Sequence, residues 1–181
     1  MDDFPPQVMN KLVKARIVAI AFLALAFQAM ADPSNFIVGD LTFVRPPSWQ
    51  WENLEQKDNV EASLVIRDEV AHKESKVIFF LTRTDKDQIA EKWKESFVAP
   101  PPVDFHTETK TIGKLELTYI HAKGTFRNIT NGKSAANYEL LGAVFKTNKG
   151  NLFVRALGDS SIVTRITPEF KKMIEDALHE N

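Results

Sequence analysis

FHTETKTIGKLELTYIH, residues 105–121, consists of two β-rich runs on either side of Gly113-Lys114. Glycine at the first central position of a two-residue loop is what a type II′ turn requires, so these residues predict an antiparallel β-hairpin. The loop length also sets the register, because each residue of one strand then has one partner on the other. The predicted partners are Ile112 with Leu115, Lys110 with Leu117, Glu108 with Tyr119, and His106 with His121.

Further β-rich runs on both sides of this hairpin predict a larger antiparallel sheet. Gly39-Asp40 divides Phe36–Val44 into an opening hairpin, and Asn148-Lys149-Gly150 joins two runs near the C-terminus into another. The remaining strands are predicted at Val60–Ile66, Val77–Thr82, Tyr138–Thr147 and Asn151–Leu157. Between them, the charged stretch Arg67–Lys76 is predicted as a solvated turn and the polar stretch Arg127–Asn137 as a mobile loop.

Two segments have helical patterns. Residues 85–98 begin at a suitable N-cap, Asp85, and carry apolar side chains every four residues, at Ile89, Trp93 and Phe97. We interpret Trp93 and Phe97 as core residues. A closing helical segment begins at Ser160 or Ser161, with its main part from Thr167-Pro168, because proline is favoured at the first helical position. Together these elements predict an α+β fold, an antiparallel β-sheet of about six to seven strands sandwiched by helices.

The first residues have the three parts of a secretory signal peptide. A basic patch (Lys11, Lys14, Arg16) precedes the apolar run Ile17–Phe27, and Ala29-Met30-Ala31 is a typical cleavage site. We therefore expect residues 1–31 to be a signal peptide and residues 32–181 a single globular domain, with Met9 as an alternative start. The alternative is an uncleaved membrane-anchoring helix, for which eleven apolar residues are short.

Composition excludes several classes of protein. The formal net charge is −1, whereas proteins that bind nucleic acid through bulk charge are distinctly basic, so no nucleic-acid partner is expected. Cysteine is absent, which rules out disulfides, thiolate metal sites, a cysteine nucleophile and a lipobox. We expect a periplasmic or secreted protein with no stable membrane anchor after signal cleavage.

The best candidate for a metal site is the cross-strand pair His106 and His121. In the predicted register their Cβ atoms lie about 5 Å apart on one face of the sheet, with Glu108 two residues along. Two imidazoles and a carboxylate are a workable set of ligands for a divalent metal. The alternative is a pair of solvated histidines at the end of a hairpin.

Two tryptophans and one loop are candidates for ligand binding. Trp49 and Trp51 follow Pro46-Pro47 on a predicted loop and could line a groove for a peptide, a glycan or an apolar ligand. The alternative for Trp49 is a plug at the end of the core. The loop Arg127–Lys133 could contact an acidic partner, or it is simply solvated.

Several motifs together resemble a known family. They are Pro47-Ser48-Trp49, Trp93-x-x-x-Phe97, Gly124-Thr125-Phe126, Tyr138–Val144 (YELLGAV) and Phe153–Gly158 (FVRALG) before a last helix. The chain resembles exported bacterial proteins with a PsbP-like fold, which is shared with the extrinsic protein of photosystem II and a Ran-binding nucleotide-release factor. The resemblance implies a sheet sandwiched by helices, a core role for Trp49, and binding of other macromolecules more often than catalysis.

The residues favour a non-catalytic function. The chain contains no G-x-S-x-G, H-E-x-x-H, P-loop or dinucleotide-binding motif. We expect an exported binding or accessory domain, not an enzyme, with no cofactor and with an unknown protein or small ligand as its partner. The alternative is a metal-dependent protein or hydrolase centred on the His106/His121 pair.

Overall fold

The computed structural model describes residues 34–53, 60–98, 103–128 and 130–180. Ser34–Asn181 forms one compact unit. The predicted signal peptide, residues 1–31, and its cleavage site lie outside the described residues, and so does the proline run 100–102. In the part of the chain that is described, no helix has the length and apolar character needed to cross a membrane.

Ten strands and two helices are present in the described residues. The strands are β1 (Asn35–Val38), β2 (Leu41–Val44), β3 (Gln50–Trp51), β4 (Val60–Asp68), β5 (Lys73–Thr82), β6 (Phe97–Val98), β7 (Asp104–Ile112), β8 (Leu115–Arg127), β9 (Ser134–Thr147) and β10 (Gly150–Asp159). The helices are α1 (Lys86–Glu95) and α2 (Ser160–His179).

The main sheet is antiparallel throughout. Its strand order is β3-β4-β5-β10-β9-β8, and both β6 and β7 pair with β8. β1 and β2 form a separate hairpin. The predicted α+β class with an antiparallel sheet is confirmed. The main sheet has eight strands instead of six to seven, because β3 and β6 are only two residues long and carry no periodic signal.

The hairpin of β7 and β8 has the predicted register. Ile112 pairs with Leu115, Lys110 with Leu117, Glu108 with Tyr119, and His106 with His121. Gly113 has φ 58°, a left-handed conformation that glycine adopts without a steric penalty. The two-residue turn therefore does set which side chains of β7 and β8 share a face.

The two helices cover opposite faces of the sheet. Side chains alternate along β8, so that Leu117 and Tyr119 join the core under α2, while Ile120 and Ala122 join the core under α1. Trp93 of α1 lies directly over Gly142 of β9, where a Cβ atom would overlap its ring. The helices thus sandwich the sheet, as the sequence predicts.

The first helix is shorter than predicted. It ends at Glu95 with Ser96 as its C-cap, and Phe97 instead begins β6, where it pairs with Phe126 of β8. Strand pairing at the sheet edge therefore overrides the helical spacing of the sequence. The predicted core role is confirmed nonetheless, because Trp93 and Phe97 are each 5% exposed.

The charged and polar connections are also shorter than predicted. β4 continues to Asp68 and β5 begins at Lys73, so only residues 69–72 of the stretch Arg67–Lys76 form the turn. β8 and β9 likewise extend to Arg127 and from Ser134. In both places the backbone N–H and C=O groups keep pairing with the neighbouring strand beyond the apolar runs. The strands therefore extend into segments whose side chains are polar.

The closing helix is continuous, and it does not begin its main part at Pro168. Its N-cap is Asp159, whose carboxylate accepts from the backbone N–H of Ser161, and Pro168 lies inside the helix. Although proline removes one backbone hydrogen bond, buried side chains on both sides of it hold the helix on the sheet. They are Ile162, Val163, Ile166, Phe170, Met173, Ile174, Ala177 and Leu178.

Candidate functional site

A cleft lies between the sheet and the first half of α2, where the apolar core gives way to polar residues. Along β9 the side chains facing α2 are Phe145, Ala143, Leu141 and then Glu139. The same alternation brings His106 and Glu108 of β7 and His121 of β8 to this face. We call this recess, of about 350 Å³, the histidine cleft; its polar lining includes His106, Glu108, His121, Glu139, Thr164 and Lys171.

Glu139 forms the inner wall of the histidine cleft and is 4% exposed. One carboxylate oxygen accepts from Ser160 Oγ at 2.8 Å and Thr164 Oγ1 at 2.9 Å, and the other contacts His121 Nε2 at 3.1 Å. Burial raises the pKa of Glu139, but the hydrogen bonds from His121, Ser160 and Thr164 outweigh it, so the pKa lies below its ordinary value. Glu139 is therefore an ionised acceptor that ties β9 and β8 to the first turns of α2.

Whenever the His121 ring is neutral, its contact with Glu139 determines the tautomer. An ionised carboxylate can only accept, so Nε2 carries the hydrogen and Nδ1 carries a lone pair. That Nδ1 atom is buried, and the described residues supply no hydrogen-bond partner for it. The His106 ring lies beside it, with ring centroids 4.6 Å apart and an interplanar angle of 38°. The cleft thus contains a shielded nitrogen lone pair next to a second imidazole.

Two carboxylates contact the two histidines, Glu139 at His121 and Asp104 at His106. Glu108 turns toward Lys171 at 3.5 Å, with its side chain 61% exposed. Asp104, two residues before His106 on the same face, instead approaches His106 Nδ1 at 3.5 Å. In the described residues, Asp104, His106 and His121 are the cluster whose potential metal-ligating atoms all lie within 4.8 Å of one another.

A second polar network braces the cleft against α2. Tyr119 donates to Glu175 at 2.9 Å, and Lys110 donates to the same oxygen at 2.6 Å. Burial, followed by the hydrogen bond to Glu175, raises the pKa of Tyr119 far above its ordinary value. Lys171 lies over the Tyr119 ring at 4.7 Å from its centroid. These contacts hold β7 and β8 at a set distance from the helix.

The two tryptophans of the predicted binding loop have different environments. Trp49 is fully buried, and its indole N–H donates to Glu169 of α2 at 3.0 Å. This is the core position that the alternative interpretation expects. Trp51 lies in strand β3 and not on a loop, and its half-buried ring packs edge-on against Phe36 at 5.1 Å. A role for Trp51 in ligand binding stays a prediction.

The loop between β8 and β9 is a compact exposed turn in its described residues. Asn128 donates its backbone N–H to Lys133 and accepts that of Gly132, both at 2.8 Å. These two hydrogen bonds close the loop on itself, and none of its described residues lines the histidine cleft.

A larger recess, of about 940 Å³, lies where the β7–β8 and β9–β10 turns approach the start of α1. Two of its charged groups have partners: Lys86 pairs with Glu116, and the Asp40 carboxylate accepts from the Asn148 side-chain amide. The histidine cleft, which combines two adjacent imidazoles with a buried carboxylate, is the stronger candidate site.

Several residues of the histidine cleft were missed at the level of the sequence. Glu139 carries a signal that could have found it, because it continues the alternation of Leu141, Ala143 and Phe145 on one face of a strand. Ser160 and Thr164 share a helix face with it only through the packing of α2 on β9. Asp104 could have been found from its position two residues before His106.

The fold and the site define an antiparallel α+β domain with a polar cleft that contains two histidines. No family model matches the chain, and no curated protein matches it. Among solved structures, the chain is similar to the solution structure of cyanobacterial PsbP (CyanoP) from Synechocystis sp. PCC 6803. The two are 14% identical, with a TM-score of 0.48, over 81% of this chain and 92% of that chain.

This similarity concerns the fold alone. Export and a relation to the Ran-binding factor stay predictions.

Proposed function

We propose that this chain is an exported, non-catalytic binding or accessory domain, acting in the periplasm or outside the cell. Its ligand, a protein or a small molecule, would enter the histidine cleft. The observation that carries this proposal is a concave recess with several convergent polar side chains, whose walls are already braced by hydrogen bonds and ion pairs. A preformed recess with a few convergent polar groups is the usual form of a binding site.

The hydrogen bonds around Glu139 and His121 favour binding over hydrolysis. Glu139 and His121 resemble the orienting half of a catalytic triad, but a triad also needs a nucleophile bonded to the other ring nitrogen. The described residues offer none at His121 Nδ1. The nearby hydroxyls of Ser160 and Thr164 donate to Glu139 instead. These contacts support a cleft that recognises a ligand and does not transform it.

Export rests on the sequence of residues 1–31. A basic patch, a short apolar run and an A-x-A site are together the pattern of a cleaved secretory signal. The absence of cysteine is compatible with export, since the fold then depends on its hydrophobic core and not on disulfides.

Two neighbouring lysines on α2 provide a matched test of the cleft. Lys171 lines the cleft and faces Glu108, whereas Lys172 is 75% exposed and pairs with Asp176 along the helix. Immobilised wild-type protein, Lys171→Glu and Lys172→Glu are compared for capture from an exported protein fraction, with bound material identified by mass spectrometry. We expect a component that wild type and Lys172→Glu retain and Lys171→Glu loses. Equal capture by all three proteins would overturn the cleft as the binding site.

The hydrolase alternative has its own test. Wild type and His121→Gln are assayed with p-nitrophenyl acetate and p-nitrophenyl phosphate. We expect no turnover above buffer for either protein. Turnover that His121→Gln abolishes would refute the non-catalytic proposal.

A further inference from the structure

The buried Nδ1 atom of His121 is an unpaired acceptor in a polar recess. Buried side-chain nitrogens usually have a partner, so an exception calls for an explanation such as an ion. A lone pair can be satisfied by a hydrogen-bond donor or by a metal ion. The neighbouring groups, an imidazole and a carboxylate, are themselves electron-pair donors, which favours a cation between them.

The contact between His121 and Glu139 is the arrangement that metal-binding histidines have. A ligating imidazole commonly donates its other ring N–H to a carboxylate, which sets the tautomer and the ring orientation. Here the carboxylate is 4% exposed and accepts two further hydrogen bonds from α2. The His121 ring is therefore held with its lone pair on Nδ1 before any ion arrives.

The distances allow three ligands to converge on one ion. Nitrogen and oxygen ligands lie about 2.0–2.2 Å from zinc, so two ligand atoms on a tetrahedral ion are about 3.3 Å apart. One ring nitrogen of each histidine and one carboxylate oxygen of Asp104 all lie within 4.8 Å of one another. The side chains of His106 and Asp104 are 62% and 65% exposed, so they are free to rotate inward by the remaining distance.

We propose that Asp104, His106 and His121 bind a divalent metal ion of the zinc type at the mouth of the histidine cleft, with Glu139 as the residue that positions His121. Two nitrogens and one carboxylate oxygen suit zinc, copper or nickel better than the all-oxygen preference of magnesium or calcium. Three protein ligands leave one tetrahedral position for water or for a group of another molecule. The site concerns the metal alone and does not depend on the partner in the proposed function.

The test is a titration of the purified, untagged full-length protein with zinc sulfate, monitored by isothermal titration calorimetry. We expect saturable binding of one Zn²⁺ per chain. Asp104→Asn and His106→Ala are the ligand variants, and both change exposed side chains that the fold does not need. Each should weaken binding by at least the roughly 10-fold that loss of a supporting contact alone produces.

Two control variants separate this ligand set from its alternatives. Glu108→Gln removes the carboxylate that the sequence predicts as a metal ligand beside the two histidines. His72→Asn removes an exposed histidine elsewhere. Asparagine tolerates the φ of 51° at position 72, so the second control keeps its turn. Both controls should bind Zn²⁺ like the wild type. An effect of Glu108→Gln equal to that of Asp104→Asn, or zinc binding unchanged in all variants, would overturn the proposal.

Glu139→Gln tests the positioning role with a second readout. The glutamine amide would donate to His121 Nε2 and move the ring hydrogen to Nδ1, which removes the lone pair from the cleft. We expect zinc affinity to fall by roughly 10–100-fold and the ¹⁵N resonances of His121 to report the changed tautomer. A changed tautomer with undiminished zinc affinity would contradict the proposal. If the wild type does not bind zinc, the metal proposal fails while the partner-capture result is unaffected. The two proposals therefore fail separately.

Discussion

Glu139→Gln is the substitution that most directly probes how the histidine cleft is held together. The change keeps the shape and volume of the side chain and removes its charge. One oxygen remains to accept from Ser160 and Thr164, as in the wild type. The other oxygen is replaced by the amide NH₂ group, which then faces the Nε2–H of His121. Two donors oppose each other in this arrangement unless the ring changes its tautomer.

The expected cost follows from this geometry. A hydrogen bond to a charged group contributes about 1.5–3 kcal/mol. The variant removes the charge on which three buried hydrogen bonds depend, and at best it replaces the bond to His121 by a neutral one. We therefore expect Glu139→Gln to lower the free energy of unfolding by about 1.5–3 kcal/mol near neutral pH. Glu108→Gln is the matched control, because Glu108 makes an exposed ion pair with Lys171, which contributes about 0–1 kcal/mol.

The effect should depend on pH in one direction. The folded-state pKa of Glu139 lies below the ordinary value of 4.5, so ionised Glu139 stabilises the fold above that pH. This contribution is lost as the pH falls through the folded-state pKa. The difference in stability between wild type and Glu139→Gln should therefore be largest near neutral pH and shrink below about pH 4.5.

The assay is urea unfolding followed by far-UV circular dichroism, at about pH 7 and at about pH 3, for wild type and both variants. A loss below about 0.5 kcal/mol at neutral pH is what an ordinary surface position would show. That result, or a loss that stays the same at acid pH, would refute the description of Glu139 as a buried ionised acceptor.

Three further predictions concern the core, the bracing network and processing. Gly142→Ala would place a methyl group inside the Trp93 ring and should cost about 1–3 kcal/mol of stability by overpacking. Trp93→Ala should cost about 3–5 kcal/mol. Chemical denaturation measures both losses, and a loss below about 1 kcal/mol for Trp93→Ala would show that this face of α1 is not core. In Tyr138→Phe the remaining tyrosine is Tyr119, which should stay protonated as the pH rises past 10. Its raised pKa stabilises the fold below that pH, and this contribution is lost as the pH rises further. An absorbance titration with a transition at the ordinary pKa would contradict this prediction. The mature N-terminus of exported protein should be Asp32, and N-terminal sequencing that finds Met1 or Met9 retained would refute the export prediction.

Local rules were sufficient for the hairpin of β7 and β8. Its two-residue turn at Gly113-Lys114 leaves only one antiparallel register, so the pairing of His106 with His121 follows from the order of the residues alone. The same reasoning failed for residues 97–98. Their spacing fits α1, but pairing with β8 gives their backbone groups partners that a longer helix would not, and that pairing depends on a strand about thirty residues further along.

The boundary between sequence and tertiary structure is clearest at the histidine cleft. Sequence alone was enough for the α+β class, for the shared face of the two histidines and for the core aromatics, because period-two and period-four patterns and turn geometry are local properties. Which carboxylate approaches His106, and the burial of Glu139 under α2, depended on how the helix packs across the sheet. Glu139 and Thr164 are 25 residues apart in the chain and meet only because the apolar face of α2 must cover the core of β8 and β9. Contacts between such distant segments are set by the burial of the whole core, which no local pattern records.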